Sequence, residues 1–318
     1  MKLLVTGGAG YIGSVVGAQL VAAGHEVVVL DNLLTSHEDG VPDGARFVRA
    51  SIDDAADVLD GSFDAVLHFA ARSLVGQSVA EPELYWWNNV VGTLRLLDAM
   101  RAAGVRRLVF SSTAATYGQP AVSPITEDTP AMPINPYGQS KLAVDHALAG
   151  AAGAYGLAAV SLRYFNVGGA LGRHGERHDP ETHLIPNVLM VPAGRRAAVD
   201  VFGTDYPTPD GTAVRDYLHV EDLGRAHLLA LDWTGADDAA GQHRIYNLGS
   251  GTGYSVREVV EAVRRVTGHP VPTTDRQRRA GDPPVLVASA ERIAADLGWR
   301  PRHGLEQIVE DAWTFLQR

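Results

Sequence analysis

The chain has 318 residues, 46% hydrophobic and 20% charged, with a formal net charge of −10 and no cysteine. That balance suits a globular protein with a large core. The acidity argues against a general nucleic-acid binder, which needs a basic face, and the lack of cysteine excludes disulfides, thiolate catalysis and cysteine-held metal. No apolar stretch approaches the roughly twenty residues of a membrane span, and the first residues lack the pattern of a signal peptide. The expectation is a soluble cytoplasmic protein without nucleic-acid or membrane partners.

In chain order, the apolar run Leu3-Leu4-Val5 enters the loop Gly7-Gly8-Ala9-Gly10-Tyr11-Ile12-Gly13, and an amphipathic stretch, 14–23, leaves it. Strand, glycine-rich turn and helix together let the main chain approach a pyrophosphate, which the helix N-terminus attracts. The spacing is G-x-x-G-x-x-G (Gly7, Gly10, Gly13). A second apolar run, 27–30, ends in Asp31, where a carboxylate would meet the adenosine ribose hydroxyls. Asp31 would repel a 2′-phosphate and no Arg follows closely, so the expected cofactor is NAD, not NADP.

Further strands are expected at 46–49, 65–69, 107–111 and 159–163, with helices at 84–103 and 136–155 between them. Short, nearly unbroken apolar strands alternating with helices predict an α/β fold, a doubly wound parallel sheet of Rossmann-like type. Around Asn166 the pattern changes. Residues 166–211 are rich in Gly, Pro and His and read as long ordered loops, with one helical piece near 186–194. Beyond them come segments at 217–230 and 245–248 and helices at 255–267 and 305–315. The domains expected are 1–166 for NAD and 167–318 as a smaller mixed α/β substrate lobe, some segments of which return to the first domain.

The strand Leu108-Val109-Phe110 opens into Ser111-Ser112-Thr113, a hydroxyl cluster at a strand's carboxyl end, where open α/β sheets bind ligands. Tyr137 and Lys141 stand at i and i+4 on one helix face, which brings an ammonium near a phenol. A tyrosine that ordinarily titrates near 10 needs roughly 4 kcal/mol of differential stabilisation to act as a base near neutrality. A neighbouring Lys and a positively charged NAD both favour the phenolate. Such a base is what alcohol oxidation by hydride transfer requires.

With these residues in place the chain resembles the extended short-chain dehydrogenase/reductase family, and within it the UDP-hexose 4-epimerases. The likeness runs nearly end to end, through Asp31-Asn32-Leu33, His68-Phe69-Ala70-Ala71, Asn88-Asn89-Val90, Asn135-Pro136-Tyr137 and Leu162-Arg163-Tyr164-Phe165-Asn166-Val167. Its narrowest part is Asp205-Tyr206-Pro207-Thr208-Pro209-Asp210-Gly211-Thr212, leading to Val214-Arg215-Asp216-Tyr217.

The resemblance implies interconversion of UDP-glucose and UDP-galactose through transient oxidation at sugar C4 with retained NAD. Tyr137 is then the acid/base, Lys141 holds the nicotinamide ribose, and Thr113 bonds the reacting oxygen. It adds Tyr11, Ile12, Asn32, Ser51, Ile52, Phe69, Ala70, Ala71, Asn88 and Phe165 to the cofactor contacts. It assigns Asn166, His183, Leu184, Phe202, Arg215, Arg279, Asp282 and Leu286, with Thr113 and Tyr137, to the UDP-sugar. Arg215 and Arg279 also suit a pyrophosphate as bidentate donors, and Asp282 suits ribose hydroxyls.

There are departures. Ser51 stands where the family has an adenine-contacting Asp, and Ser73, beside Arg72, where it often has a lysine. His183 replaces an Asn, although imidazole can still hydrogen-bond. Leu286 occupies the position whose bulk governs N-acetylated sugars, and its intermediate size leaves that question open. Dehydratases with the same Tyr and Lys carry an Asp-Glu pair after the Thr, whereas Thr113 is followed by Ala114-Ala115. A non-catalytic NAD-sensing regulator would commonly lack the Tyr/Lys pair. His174, His178 and His183 show no clear carboxylate partner, so no metal is expected. Trp86 and Trp87 are expected as partly buried packing residues, and the resemblance implies a homodimer through the helices at 84–103 and 136–155.

Overall fold

The apolar runs become the strands of one sheet because a strand buried on both faces must be apolar almost throughout. In the computed structural model, which describes residues 1–279 and 281–318, β1 (Lys2–Thr6), β2 (Glu26–Asp31), β3 (Arg46–Arg49), β4 (Ala65–His68), β5 (Arg107–Thr113), β6 (Ala158–Tyr164) and β7 (His243–Leu248) form a seven-stranded sheet. The spatial order is β7-β6-β5-β4-β1-β2-β3, and β1 pairs parallel with both β2 and β4. The chain leaves β1 for one side of the sheet and comes back on the other, so the β1/β4 boundary is the topological switch point. Leu3, Leu4, Val5, Val28, Val66, Leu67, Leu108 and Val109 are fully buried.

The helices flanking this sheet include α1 (Tyr11–Ala22), α2 (Gly92–Ala103), α3 (Pro136–Tyr155) and α4 (Val220–Trp233). The sequence stops α3 at both ends. Asn135 Oδ1 accepts from the Gly138 N–H at 2.9 Å and Pro136 opens the first turn, while Gly156 closes the helix at φ 77°. The stretch predicted as one helix over 84–103 is broken. A short turn, Pro82–Tyr85, runs into a π-helical turn, Trp86–Val91, before α2 begins. An inserted π turn re-aims the side chains it carries, and Trp86 and Trp87 are 40% and 66% exposed rather than packed inside. The expected segment at 217–230 is also two elements, a strand Val214–His219 and α4.

Contacts group the chain into two units, one of residues 1–118, 130–163 and 224–246, the other of 119–129, 164–223 and 247–318. In the first unit, Leu4, Val28, Val66, Leu108 and Phe110 pack with Leu96 and Met100 of α2 and Val144 and Leu148 of α3. The second has its own core, in which Ile185, Val188 and Leu189 meet Val259, Val260 and Val263 of the helix Val256–Thr267 and Ile308 and Val309 of the helix Leu305–Leu316. Its strand Val214–His219 pairs with Gly253–Ser255, Val285–Leu286 and Asn166–Gly168.

One buried ion pair ties α3 to β6. Arg163 donates to Asp145 Oδ2 through Nε at 3.1 Å and Nη2 at 2.7 Å, with both side chains under 5% exposed. Asp145→Ala would leave a buried guanidinium without its carboxylate, and should cost about 3–5 kcal/mol of stability. Urea unfolding reads this directly; a loss below about 1 kcal/mol would contradict the buried-pair account.

Candidate active site

The 7–13 loop lies at the switch point, and close packing explains its glycines. Gly7 has φ 72°, and a Cβ there would fall 2.5 Å from the Ala70 nitrogen; at Gly13 it would fall 2.2 Å from the Gly7 carbonyl oxygen. The loop therefore lies directly on the backbone of Phe69 and Ala70, whose N–H groups both donate to the Thr6 carbonyl. Gly10 caps α1 without a side-chain acceptor, and no acidic residue enters its first turn. The positive end of α1 is thus left to attract an anion, as a pyrophosphate cradle requires.

Asp31 ends β2 with its carboxylate held from both sides. Oδ2 accepts from the Ala9 N–H at 3.0 Å, and Oδ1 accepts from the Leu33 N–H at 2.9 Å and the Ser36 hydroxyl at 2.8 Å. A carboxylate has about four acceptor directions, so one remains for a ribose hydroxyl. Leu33 reaches its position with φ 59°, a left-handed conformation costing of order 1–2 kcal/mol for such a residue. Ser36 and Leu33 were not legible as functional; their part in fixing Asp31 depends on that turn.

The other cofactor candidates divide. Ala71 and Asn32 flank the residues just described. Ser51 is a helix cap, accepting from the Asp53 N–H at 3.3 Å, and the neighbouring Ile52 is buried. Asn88 sits on the π turn and donates to Asn89 Oδ1 at 3.0 Å. Asn89, not singled out from sequence, exchanges two hydrogen bonds with the Arg72 backbone and donates to Ser140 on α3 at 3.1 Å. It links the strand end after β4 to the helix that carries Tyr137. The Arg72 backbone is therefore fixed beside Ala71. Phe165 lies in the second unit, its N–H donating to the Leu248 carbonyl.

Thr113 and Tyr137 come together because α3 starts tightly against the turn after β5. A Cβ on Gly138 would fall 2.4 Å from the Ala115 carbonyl oxygen. Thr113 Oγ1 accepts from the Ala115 N–H at 3.1 Å, and its hydroxyl lies near enough to the Tyr137 phenol to influence its ionisation. Burial pushes the Tyr137 phenol upward, while the neighbouring Thr113 hydroxyl opposes that rise. Tyr85 meets the Tyr137 ring edge-on, with centroids 6.4 Å apart.

One turn on, Lys141 Nζ donates to the Ser111 carbonyl at 2.7 Å and lies 4.7 Å from the Phe110 ring centroid. Burial pushes this ammonium down to about 7, partly offset by Asp145. Between about pH 7 and the ordinary lysine value near 10.5, the unfolded chain then carries a proton that the folded, dinucleotide-free chain has released. Stability from this group must rise with pH across that window. Thermal midpoints of the dinucleotide-free chain should climb between about pH 7 and about pH 9 relative to those of Lys141→Met; equal pH slopes would contradict it.

In the second unit several substrate candidates converge. Arg215 on the strand Val214–His219 pairs with Asp282 and stands opposite Leu286 in the parallel ladder, and Tyr217 on the same strand stands opposite Asn166. Arg279 stacks over Phe202, guanidinium carbon to ring centroid 4.1 Å. Arg276 and Arg278 pair instead with Asp200 and Asp205. His183 caps the short helix Leu184–Leu189. The sequence offered no carboxylate for the loop histidines, but the structure supplies two, Glu176 and Glu181. Burial lowers the His183 imidazole, and the hydrogen bonds to Glu176 and Glu181 outweigh it and raise the group well above its ordinary value.

A switch-point glycine cradle, an acidic strand end and a Thr–Tyr–Lys set beside them define a dinucleotide-dependent enzyme that works on a hydroxyl-bearing carbon. The chain matches the NAD dependent epimerase/dehydratase family over residues 3–249 and belongs to it. It is 60% identical to a UDP-glucose 4-epimerase of Streptomyces lividans and 57% identical to one of Corynebacterium glutamicum, each match covering 99% of this chain and 95% of the relative. The crystal structure of UDP-glucose 4-epimerase from Brucella ovis in complex with NAD superposes with a TM-score of 0.94 at 47% identity, over 98% of this chain and 97% of that one.

Proposed function

We propose that this protein is a UDP-hexose 4-epimerase that interconverts UDP-glucose and UDP-galactose with retained NAD, residues 1–166 forming the NAD-binding domain and 167–318 the UDP-sugar lobe, some segments of which return to the first domain. Full-length relatives of the same activity support the reading. The observation that carries it is the Tyr137 phenol beside Thr113 at the carboxyl end of β5, in the same unit as the glycine cradle and Asp31.

Bound NAD would supply the hydride acceptor and a positive charge next to the phenol. Tyr137 takes the proton from the sugar 4′-hydroxyl and later returns it, while Thr113 orients the reacting oxygen. Lys141 supports the nicotinamide ribose and opposes the upward pull of burial on Tyr137. Gly7, Gly10, Tyr11, Ile12 and Gly13 hold the pyrophosphate, and Asp31 selects an unphosphorylated ribose. Arg215, Arg279, Asp282 and Phe202 hold the UDP, with Asn166, His183, Leu184 and Leu286 toward the sugar.

Water elimination across C5 and C6 would need an acid and a base beside Thr113, and Ala114 and Ala115 supply neither. A purely NAD-sensing role leaves Tyr137 and Lys141 without a use.

The protein acts in the cytoplasm in galactose metabolism, as a homodimer. No helix among the described residues is long and apolar enough to cross a membrane. Val75, Val79, Trp86, Trp87 and Leu94 are all exposed on the single chain, the apolar surface that pairing through the neighbouring helices would cover.

Purified protein incubated with UDP-galactose and no added NAD should form UDP-glucose. Absence of product from protein shown to contain the dinucleotide would overturn the proposal.

A further inference from the structure

Four side chains of one loop converge. Glu176, His178, Glu181 and His183 each present a ligand-type atom, and these four atoms lie within 4.8 Å of one another. His183 Nδ1 stands 2.6 Å from Glu176 Oε1 and 3.1 Å from Glu181 Oε1, and His178 Nδ1 stands 2.9 Å from the same Glu176 oxygen.

Protons alone serve this arrangement poorly. One imidazole N–H cannot point along two directions, yet His183 Nδ1 faces both carboxylates. The Glu176 and Glu181 side chains are only 7% and 5% exposed. Glu176 Oε2 is buried with no hydrogen-bond partner. Buried carboxylates are normally paired with cations or bound to metal, and a buried acceptor left unused is unfavourable.

We propose that Glu176, His178, Glu181 and His183 form a binding site for a divalent transition-metal ion, Zn²⁺ being the best fit to two imidazoles and two carboxylates. The ion neutralises both buried carboxylates and takes the two Nδ1 atoms as neutral donors, and Glu176 can engage it through both oxygens. Ligands at about 2.0–2.2 Å from one ion stand about 3.4 Å apart in a tetrahedron. The closest pair, at 2.6 Å, must open by about 0.8 Å and any pair at the 4.8 Å limit must close by about 1.4 Å, shifts that side-chain χ rotations can supply. Glu181 Oε1 already accepts from the Thr182 and His183 N–H groups, which fixes the carboxylate's orientation as second contacts of a metal ligand do. The ion would set the geometry of the loop that ends in His183 and Leu184. The site is defined by this loop alone and does not depend on which substrate the protein takes.

The test uses the full-length protein, stripped with a chelator and titrated with ZnCl₂, with bound metal counted by mass spectrometry and Co²⁺ absorption reporting coordination. The expected result is one Zn²⁺ per chain, with affinity at least a hundredfold lower in both His178→Ala and Glu176→Gln. His303→Ala, which alters the separate group His219, Glu221 and His303, should bind as the wild type does. Zinc should also raise the thermal midpoint of the wild type and not that of His178→Ala, whose metal-free midpoint shows that it folds. Substoichiometric binding by the wild type, equal binding by His178→Ala and Glu176→Gln, or loss of binding in His303→Ala would each overturn the proposal.

Discussion

Replacing Tyr137 by Phe should lower kcat by about 10²–10⁴-fold, the usual worth of a positioned acid/base, and leave the dinucleotide bound. The ring of Phe can retain the edge-on contact with Tyr85, so the substitution removes the hydroxyl and little else. Thr113 then loses its phenol neighbour, but its bond from the Ala115 N–H persists, and the turn after β5 stays in place. KM should change far less than kcat, because the lost interaction develops with proton transfer rather than with binding. Steady-state kinetics with a dinucleotide count on the same sample separate the two effects. Turnover within a few-fold of wild type would remove Tyr137 from the chemistry.

The second large effect concerns the cradle. Gly13→Ala places a methyl 2.2 Å from the Gly7 carbonyl oxygen and 2.9 Å from Gly8 Cα. Both neighbours are backbone, so the turn itself must move. Overpacking of this kind costs about 1–3 kcal/mol in a rigid setting. If borne by the bound state, that cost lowers dinucleotide affinity by roughly 10- to 100-fold. Gly150→Ala is the contrasting case, since nothing lies within 4 Å of a Cβ there. In the interior of α3 it should be neutral or gain up to about 1 kcal/mol. Dinucleotide titration and thermal unfolding of both variants check the pair of outcomes. Equal behaviour of the two would show that the close approach at Gly13 has no energetic weight.

The parts of the fold that were legible are those where a local pattern has one physical solution. Apolar runs such as Leu3-Leu4-Val5 and 27–30 can only be strands buried on both faces, and they are β1 and β2. The bounds of α3 were legible because Asn135, Pro136 and Gly156 are strong stop signals. The break at Trp86–Val91 was not, because a π turn leaves the apolar periodicity of a helix nearly intact while rotating the residues beyond it. Exposed Trp86 and Trp87 are the visible consequence.

At the site, residue types were readable and the contacts that set them were not. Asp31 announces itself by its place at a strand end, but Ser36 acts only through a turn containing a left-handed Leu33. Tyr137 and Lys141 share a helix face as their spacing requires, yet the Lys141 ammonium is fixed by a carbonyl on β5, thirty positions away. Glu176 and Glu181 stand within a few residues of the loop histidines, and nothing in the sequence pairs them. Their convergence depends on loop backbone angles that no periodicity encodes. Arg215, Asp282 and Leu286 were assigned from resemblance, and the strand pairing that brings them together joins segments about seventy residues apart.

In the proposed reaction the hydrogen leaving sugar C4 is stored within the protein and returned to the same carbon. The direct measurement is to incubate the protein, without added dinucleotide, with UDP-galactose carrying deuterium at C4 in ordinary water, and to read the label in the UDP-glucose formed. Full retention of deuterium at C4 is expected, with no uptake at that carbon when unlabelled substrate is run in deuterated water. Loss of the label to solvent, or solvent deuterium appearing at C4, would contradict it.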